Sequence, residues 1–147
     1  MTRIYLDTSV ISALYDERTP ERLAQTRQAW TTIVGYEVCI SDLVLNELSH
    51  TSDEIKEGLL KSTSGFTVLE TNKDAFALAS EYVALGVFPE KYFDDALHVA
   101  IATLNNIGIL LSWNFAHLVK VKTRRMVAFV NAGKNFLPVE IISPPEL

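Results

Sequence analysis

Residues 3–16 read RIYLDTSVISALYD. Ile4, Tyr5 and Leu6 have the look of a buried strand, and an apolar helix follows almost at once. Between the two stand Asp7, Thr8 and Ser9, and the carboxylate has two readings. Asp7, or Thr8 behind it, caps the helix; or Asp7 marks the carboxyl end of a central strand, where open α/β sheets place their ligands.

The rest of the chain supplies the sheet that the second reading needs. Short apolar runs recur at Val38–Ile40, Phe66–Leu69, Ile109–Leu111 and Val139–Ile142. Longer segments of helical period lie between them: Glu21–Val34, Leu43–Leu48, Ile55–Leu60, Ala75–Leu85, Asp95–Leu104 and Arg124–Asn131. Thr51–Asp53 reads as a break and cap. Gly86, the Asn105-Asn106-Ile107-Gly108 stretch and Gly133 close helices, and Ser143–Leu147 reads as a short extended tail. Strands alternating with helices predict a three-layer α/β/α sandwich around a mostly parallel sheet. At 147 residues the whole chain, 1–147, is one domain with room for a full core.

Composition narrows the setting. Apolar residues at 48% and charged residues at 21% fit an ordinary globular chain. No run approaches the length of a membrane span, the start lacks a signal-peptide pattern, and a single cysteine, Cys39, excludes an internal disulfide; together these predict a cytoplasmic protein with no membrane partner. Residues 96–139 contain no Asp or Glu and carry Lys120, Lys122, Arg124, Arg125 and Lys134, a local charge of +5 in a chain of −5. The remainder therefore holds −10. That asymmetry fits an acidic, cation-holding half beside a phosphate-facing half, and equally a solvated basic helix end.

In a parallel sheet, four polar side chains fall along the carboxyl edge. Asp7 ends the first strand; Glu47 lies in SDLVLNELSH; Asp95 lies at the first turn of KYFDDALHVAIA; Asn114 follows the fourth strand in LLSWNFAHL. Glu47 shares a helical face with Val44 and Leu48, and Asp95 shares one with Val99 and Ala102, so both sit where a carboxylate is costly without a partner. Each has a plain alternative: a cap for Asp7, macrodipole stabilisation for the Asp94–Asp95 pair with Asp94 the better cap, a solvated helix face for Glu47, a turn for Asn114. Clustered carboxylates repel unless a cation sits among them, and Mg²⁺ is the hard ion that needs only a few. Cys39, His50, His98 and His117 have no zinc-ligand spacing, and no glycine-rich phosphate loop or nucleophile elbow is present.

Four segments in this order, YLDTSVISAL, ISDLVLNEL, FDDALHVAIA and LLSWNF, resemble those of the PIN-domain ribonucleases, and within them the VapC-type toxins of bacterial and archaeal toxin–antitoxin pairs. The resemblance spans nearly the whole chain. It implies a Mg²⁺- or Mn²⁺-dependent endoribonuclease in which Asp7, Glu47 and Asp95 hold the metal. Asp94 matches a second acid or only the cap, and Ser9 and Ser112 match hydroxyls near the metal. It further implies RNA as substrate, a VapB-like antitoxin as partner and a homodimer; Lys120, Lys122, Arg124 and Arg125 are candidates for contact with the RNA backbone and equally a solvated face. Leu23–Val34 and Ile55–Leu60 are candidate dimer faces and equally plain core. One departure stands out. Asn114 occupies a position where the family commonly has a fourth acid, which lowers the site's charge and raises a second reading: a catalytically impaired PIN-like domain that binds RNA or protein. A phospho-acceptor domain, with Asp7 as nucleophile, would want a second Asp where this chain has Ser9.

Overall fold

The structure is a computed structural model that describes all 147 residues. Each of the five apolar runs is a strand: β1 (Arg3–Leu6), β2 (Glu37–Ser41), β3 (Thr67–Leu69), β4 (Ile109–Leu111) and β5 (Glu140–Ile142). They form one sheet in the order β3-β2-β1-β4-β5, and every pairing is parallel. In register, Tyr5 stands between Cys39 and Leu110, and Leu6 faces Leu111. Parallel sheets survive only with both faces covered, and β1 shows it: Ile4, Tyr5 and Leu6 are all fully buried although alternate residues point to opposite faces.

Seven helices supply the cover: α1 (Thr8–Ser12), α2 (Pro20–Thr32), α3 (Asp42–Leu48), α4 (Asp53–Ser62), α5 (Lys73–Ala84), α6 (Phe93–Leu104) and α7 (Val121–Gly133). Right-handed crossovers place α1–α4, which connect β1 to β2 and β2 to β3, on one face, and α5–α7 on the other. On that second face Tyr82 of α5, Thr103 of α6 and Asn131 of α7 meet in one buried hydrogen-bonded group. From β1 the chain runs to β2 and β3 on one side, then returns to add β4 and β5 on the other. The direction therefore reverses beside β1, and the cleft between the carboxyl ends of β1 and β4 is the topological switch point.

Element ends differ from the sequence reading in instructive ways. The helix read as Glu21–Val34 stops at Thr32 and tightens into a 3₁₀ turn over Ile33–Gly35. The last helix begins at Val121 rather than Arg124. Gly86 closes α5 with φ 82°, and Asn106 and Asn135 take left-handed backbones after α6 and α7, so it is Asn135 and not Gly133 that turns the chain after α7. The tail is not extended. Pro144–Glu146 forms a 3₁₀ turn against α2, closed by the Ser143 hydroxyl donating to Glu146 Oε1 at 3.0 Å. Cys39 is a buried free thiol, and no helix is long and apolar enough to cross a membrane.

Candidate active site

Asp7 answers its two readings by satisfying both. It is the residue after β1, and its carboxylate caps α1, with Oδ1 accepting from the Val10 amide at 3.3 Å. The same oxygen accepts from the Ser9 hydroxyl at 2.6 Å, and Oδ2 accepts from the Ser112 hydroxyl at 2.5 Å. Ser112 follows β4 directly, so the switch point itself delivers this bond across the sheet. Burial nevertheless dominates: the Asp7 carboxyl is pushed up from its ordinary value, with His98, Ser112, Ser9 and the Val10 amide opposing.

The loop 112–120 carries the next layer. Trp113 donates its backbone N–H to Ser9 Oγ at 2.9 Å and its indole N–H to Thr26 Oγ1 at 2.9 Å, which anchors the loop to α1 and α2. Asn114 donates through its backbone amide to Ser112 Oγ at 2.9 Å, accepts the His117 amide on its side-chain oxygen at 2.9 Å, and presents Nδ2 to Asp95 Oδ1 at 3.3 Å. Toward the acids, then, Asn114 shows a donor. Where a fourth carboxylate would add repulsion, this amide orients Asp95 instead.

Asp95 sits in the first turn of α6, half-buried. Burial raises its carboxyl above the ordinary value; His98 and His117 oppose the shift, and Asp7 and Glu47 add to it. Asp95 thus feels both other acids. Asp94 does not join them: it is exposed and makes no side-chain hydrogen bond, and neither Asp caps α6, whose cap position is Tyr92. Beside Asp95, the His117 ring packs against Tyr92, tilted by 31° with centroids 3.7 Å apart.

Glu47 reaches the same place from α3, which starts where β2 ends and is capped by Ser41. Its Oε1 accepts from the Thr8 hydroxyl at 3.1 Å and from His98 Nε2 at 2.8 Å. Burial alone would raise the Glu47 carboxyl, but His98 and Thr8 outweigh it and hold the pKa below the ordinary value. His98 shows the reverse balance: burial lowers its pKa, and the hydrogen bond to Glu47 with the charges of Asp7, Glu47 and Asp95 raises it overall.

His98 is the residue that the sequence reading missed, having weighed it only as a zinc ligand. A signal was available. His98 is three residues beyond Asp95 on the most apolar helix, where a polar side chain must find partners inside the fold. Behind it lie two others, Tyr5, which the sequence marked only as a strand residue, and Ser41, which it left unmarked at the start of SDLVLNELSH.

The basic residues divide. Lys120, Lys122 and Arg125 are exposed around the start of α7, which the Thr123 hydroxyl ties to the His117 carbonyl at 3.0 Å. Arg124 is engaged elsewhere, 3.8 Å from Glu146 Oε2 and 3.4 Å from the Ile141 carbonyl.

The donors around the cleft are hard oxygens, the class that suits Mg²⁺ or Mn²⁺ and not a soft metal. No three acidic, His or Cys side chains converge as a ready-made cage. A few carboxylates with waters completing the shell is the arrangement Mg²⁺ favours, so these residues fit such an ion.

The chain matches the family described as PIN domain over residues 4–114. Among solved structures, it is similar to the Mycobacterium tuberculosis toxin VapC20, described as cleaving the sarcin-ricin loop, with a TM-score of 0.63 at 18% identity over 78% of this chain and 92% of that one. It is also similar to VapBC2 from Rickettsia felis bound to a promoter DNA fragment, with a TM-score of 0.63 at 16% identity over 95% and 98% of the two chains. VapBC-1 from nontypeable Haemophilus influenzae has a TM-score of 0.62 at 14% identity over 98% and 99%. No curated protein matches the sequence.

Proposed function

The chain belongs to the PIN-domain family with a VapC-type fold, and on that basis we propose that it is a divalent-metal-dependent endoribonuclease, the toxin of a type II toxin–antitoxin pair. One observation carries the reading. Three acids from three separate segments, Asp7, Glu47 and Asp95, lie along the carboxyl edge at the switch point, tied through Ser112 and Asn114 from Asp7 to Asp95 and through Thr8 to Glu47, so that like charges face one cleft. A fold gains nothing in stability from such repulsion, whereas a bound cation relieves it.

Asp7, Glu47 and Asp95 would hold Mg²⁺ or Mn²⁺, and the ion, when bound, polarises a phosphodiester oxygen and makes water a better nucleophile. The chain's own contributions follow from the contacts. Ser9, Ser112 and the Val10 amide clamp both oxygens of Asp7, so it meets a ligand without reorganising. Asn114 turns Asp95. Lys120, Lys122 and Arg125 meet the RNA backbone, which positions substrate without reading its sequence. Arg124 pairs with Glu146 of the tail instead. The description of VapC20 as a toxin that cleaves an RNA loop supports RNA as the substrate class, and the VapBC neighbours support a VapB-like antitoxin as partner. A homodimer belongs to the same proposal.

Asn114 favours one alternative, a PIN-like domain that binds RNA or protein without cutting. Incubating the protein with single-stranded and structured RNAs, with Mn²⁺, Mg²⁺ or EDTA, beside Asp95→Asn separates the two. Metal-dependent cleavage that vanishes in the variant supports the nuclease. RNA bound but uncut, with no heat of Mn²⁺ binding in calorimetry, supports the binding domain.

A further inference from the structure

Behind Glu47 runs a buried hydrogen-bonded chain. His98 Nε2 meets Glu47 Oε1 at 2.8 Å, His98 Nδ1 meets the Tyr5 hydroxyl at 2.7 Å, and that hydroxyl meets Ser41 Oγ at 2.8 Å. Ser41 Oγ in turn accepts from the Val44 amide at 3.2 Å and caps α3, the helix that carries Glu47. The path closes on itself through β1, β2, α3 and α6.

We propose that His98, backed by Tyr5 and Ser41, is a positioning residue for Glu47, fixing Oε1 so that Oε2 is the oxygen left to meet a ligand.

Directionality supports this. An ionised carboxylate only accepts, so Nε2 carries the proton it shares with Oε1. Behind it the Tyr5 hydroxyl lies within hydrogen-bonding distance of both His98 Nδ1 and Ser41 Oγ, and Ser41 Oγ accepts from the Val44 amide, so every polar atom in the path has a partner. Thr8 adds a second donor to Oε1, while Oε2 has no partner within the protein. His98 itself is only 3% exposed and both its nitrogens are engaged. It cannot touch RNA, which makes it a positioning and not a catalytic residue. Tyr5 is fully buried and paired in register with Cys39 and Leu110, so the hydroxyl that backs the imidazole is set by the sheet itself.

This inference rests on the nuclease reading, and the test separates the two. His98→Gln keeps an N–H near the Nε2 position; His98→Leu fills the space without a donor. Relative to the unaltered protein, His98→Leu is expected to lose about 10- to 100-fold in Mn²⁺ affinity by calorimetry and in kcat for RNA cleavage, with KM unchanged, while His98→Gln stays within about threefold. Equal loss in both variants, with circular dichroism showing both folded, overturns the assignment, as does full retention in His98→Leu. If the unaltered protein neither binds Mn²⁺ nor cuts RNA, the nuclease reading fails and imidazole NMR decides the His98 assignment alone. A slowly exchanging Nε2 proton that moves in Glu47→Ala upholds it, and the absence of such a proton overturns it.

Discussion

Asp7, Glu47 and Asp95 lie on one edge of the sheet but occupy opposite thermodynamic positions. Asp7 and Asp95 have carboxyls raised above their ordinary value, chiefly by burial. The native protein therefore keeps protons that the unfolded chain releases, and without metal the stability falls as pH rises from the ordinary carboxylate range through the folded values. Asp7→Asn and Asp95→Asn should each raise the melting temperature in EDTA at pH 7 and flatten this slope, as calorimetry across pH would read. Glu47 has the other sign, because His98 and Thr8 outweigh its burial. Its stabilisation is present above the ordinary range and lost as pH falls through the folded value, so Glu47→Gln should lower the melting temperature at pH 7. All three variants should lose metal-dependent RNA cleavage by at least about a hundredfold. An active variant would remove that residue from the proposed ligand set.

Helices and strands were largely legible because their signals are local. Period and punctuation located all five strands and the long helices, and failures cluster at ends. Val121 starts α7 although it is exposed and its cap, Lys120, makes no side-chain bond, so nothing in the chemistry of the start announced it. The prolines of the tail suggested extension, but packing on α2 folds them into a turn. Two elements offer clean tests. Asn72 caps α5 through Oδ1 and the Ala75 amide at 2.9 Å and makes no hydrogen bond to the acids, so Asn72→Ala should cost about 1 kcal/mol in denaturant unfolding and leave cleavage unchanged. Tyr82 pins α5 to α6 and α7, and its burial pushes the phenol from the ordinary 10.0 up to about 12. The fold holds that proton after the unfolded chain has lost it, so stability should drop by about 1.4 kcal/mol per pH unit from about pH 10 to about pH 12. Tyr82→Phe should remove that alkaline limb.

For the molecule as a whole, acidic cleft and basic helix start lie on one edge of the sheet because the topology puts them there. The +5 of residues 96–139 is delivered by the crossover that leaves β4, immediately after the loop that shapes the acid site. A ligand that binds only the native state adds its binding free energy to folding. Mn²⁺ at a hundredfold excess over its Kd should therefore raise the melting temperature by about 5–10 °C, and Asp95→Asn should blunt the rise. Periodicity alone was sufficient for the α/β layering, the parallel sheet and the candidate acids, since each rests on spacing along the chain and on the cost of a carboxylate among apolar neighbours. The role of Asn114 as a donor to Asp95, the capture of Arg124 by the tail and the exclusion of Asp94 from the cluster were beyond it. So was the buried path from Ser41 to Glu47, in which His98 lies 93 residues from Tyr5 and 51 from Glu47. A buried polar group is satisfied by whatever the fold brings within 3 Å of it, and no local pattern in the chain encodes that neighbour.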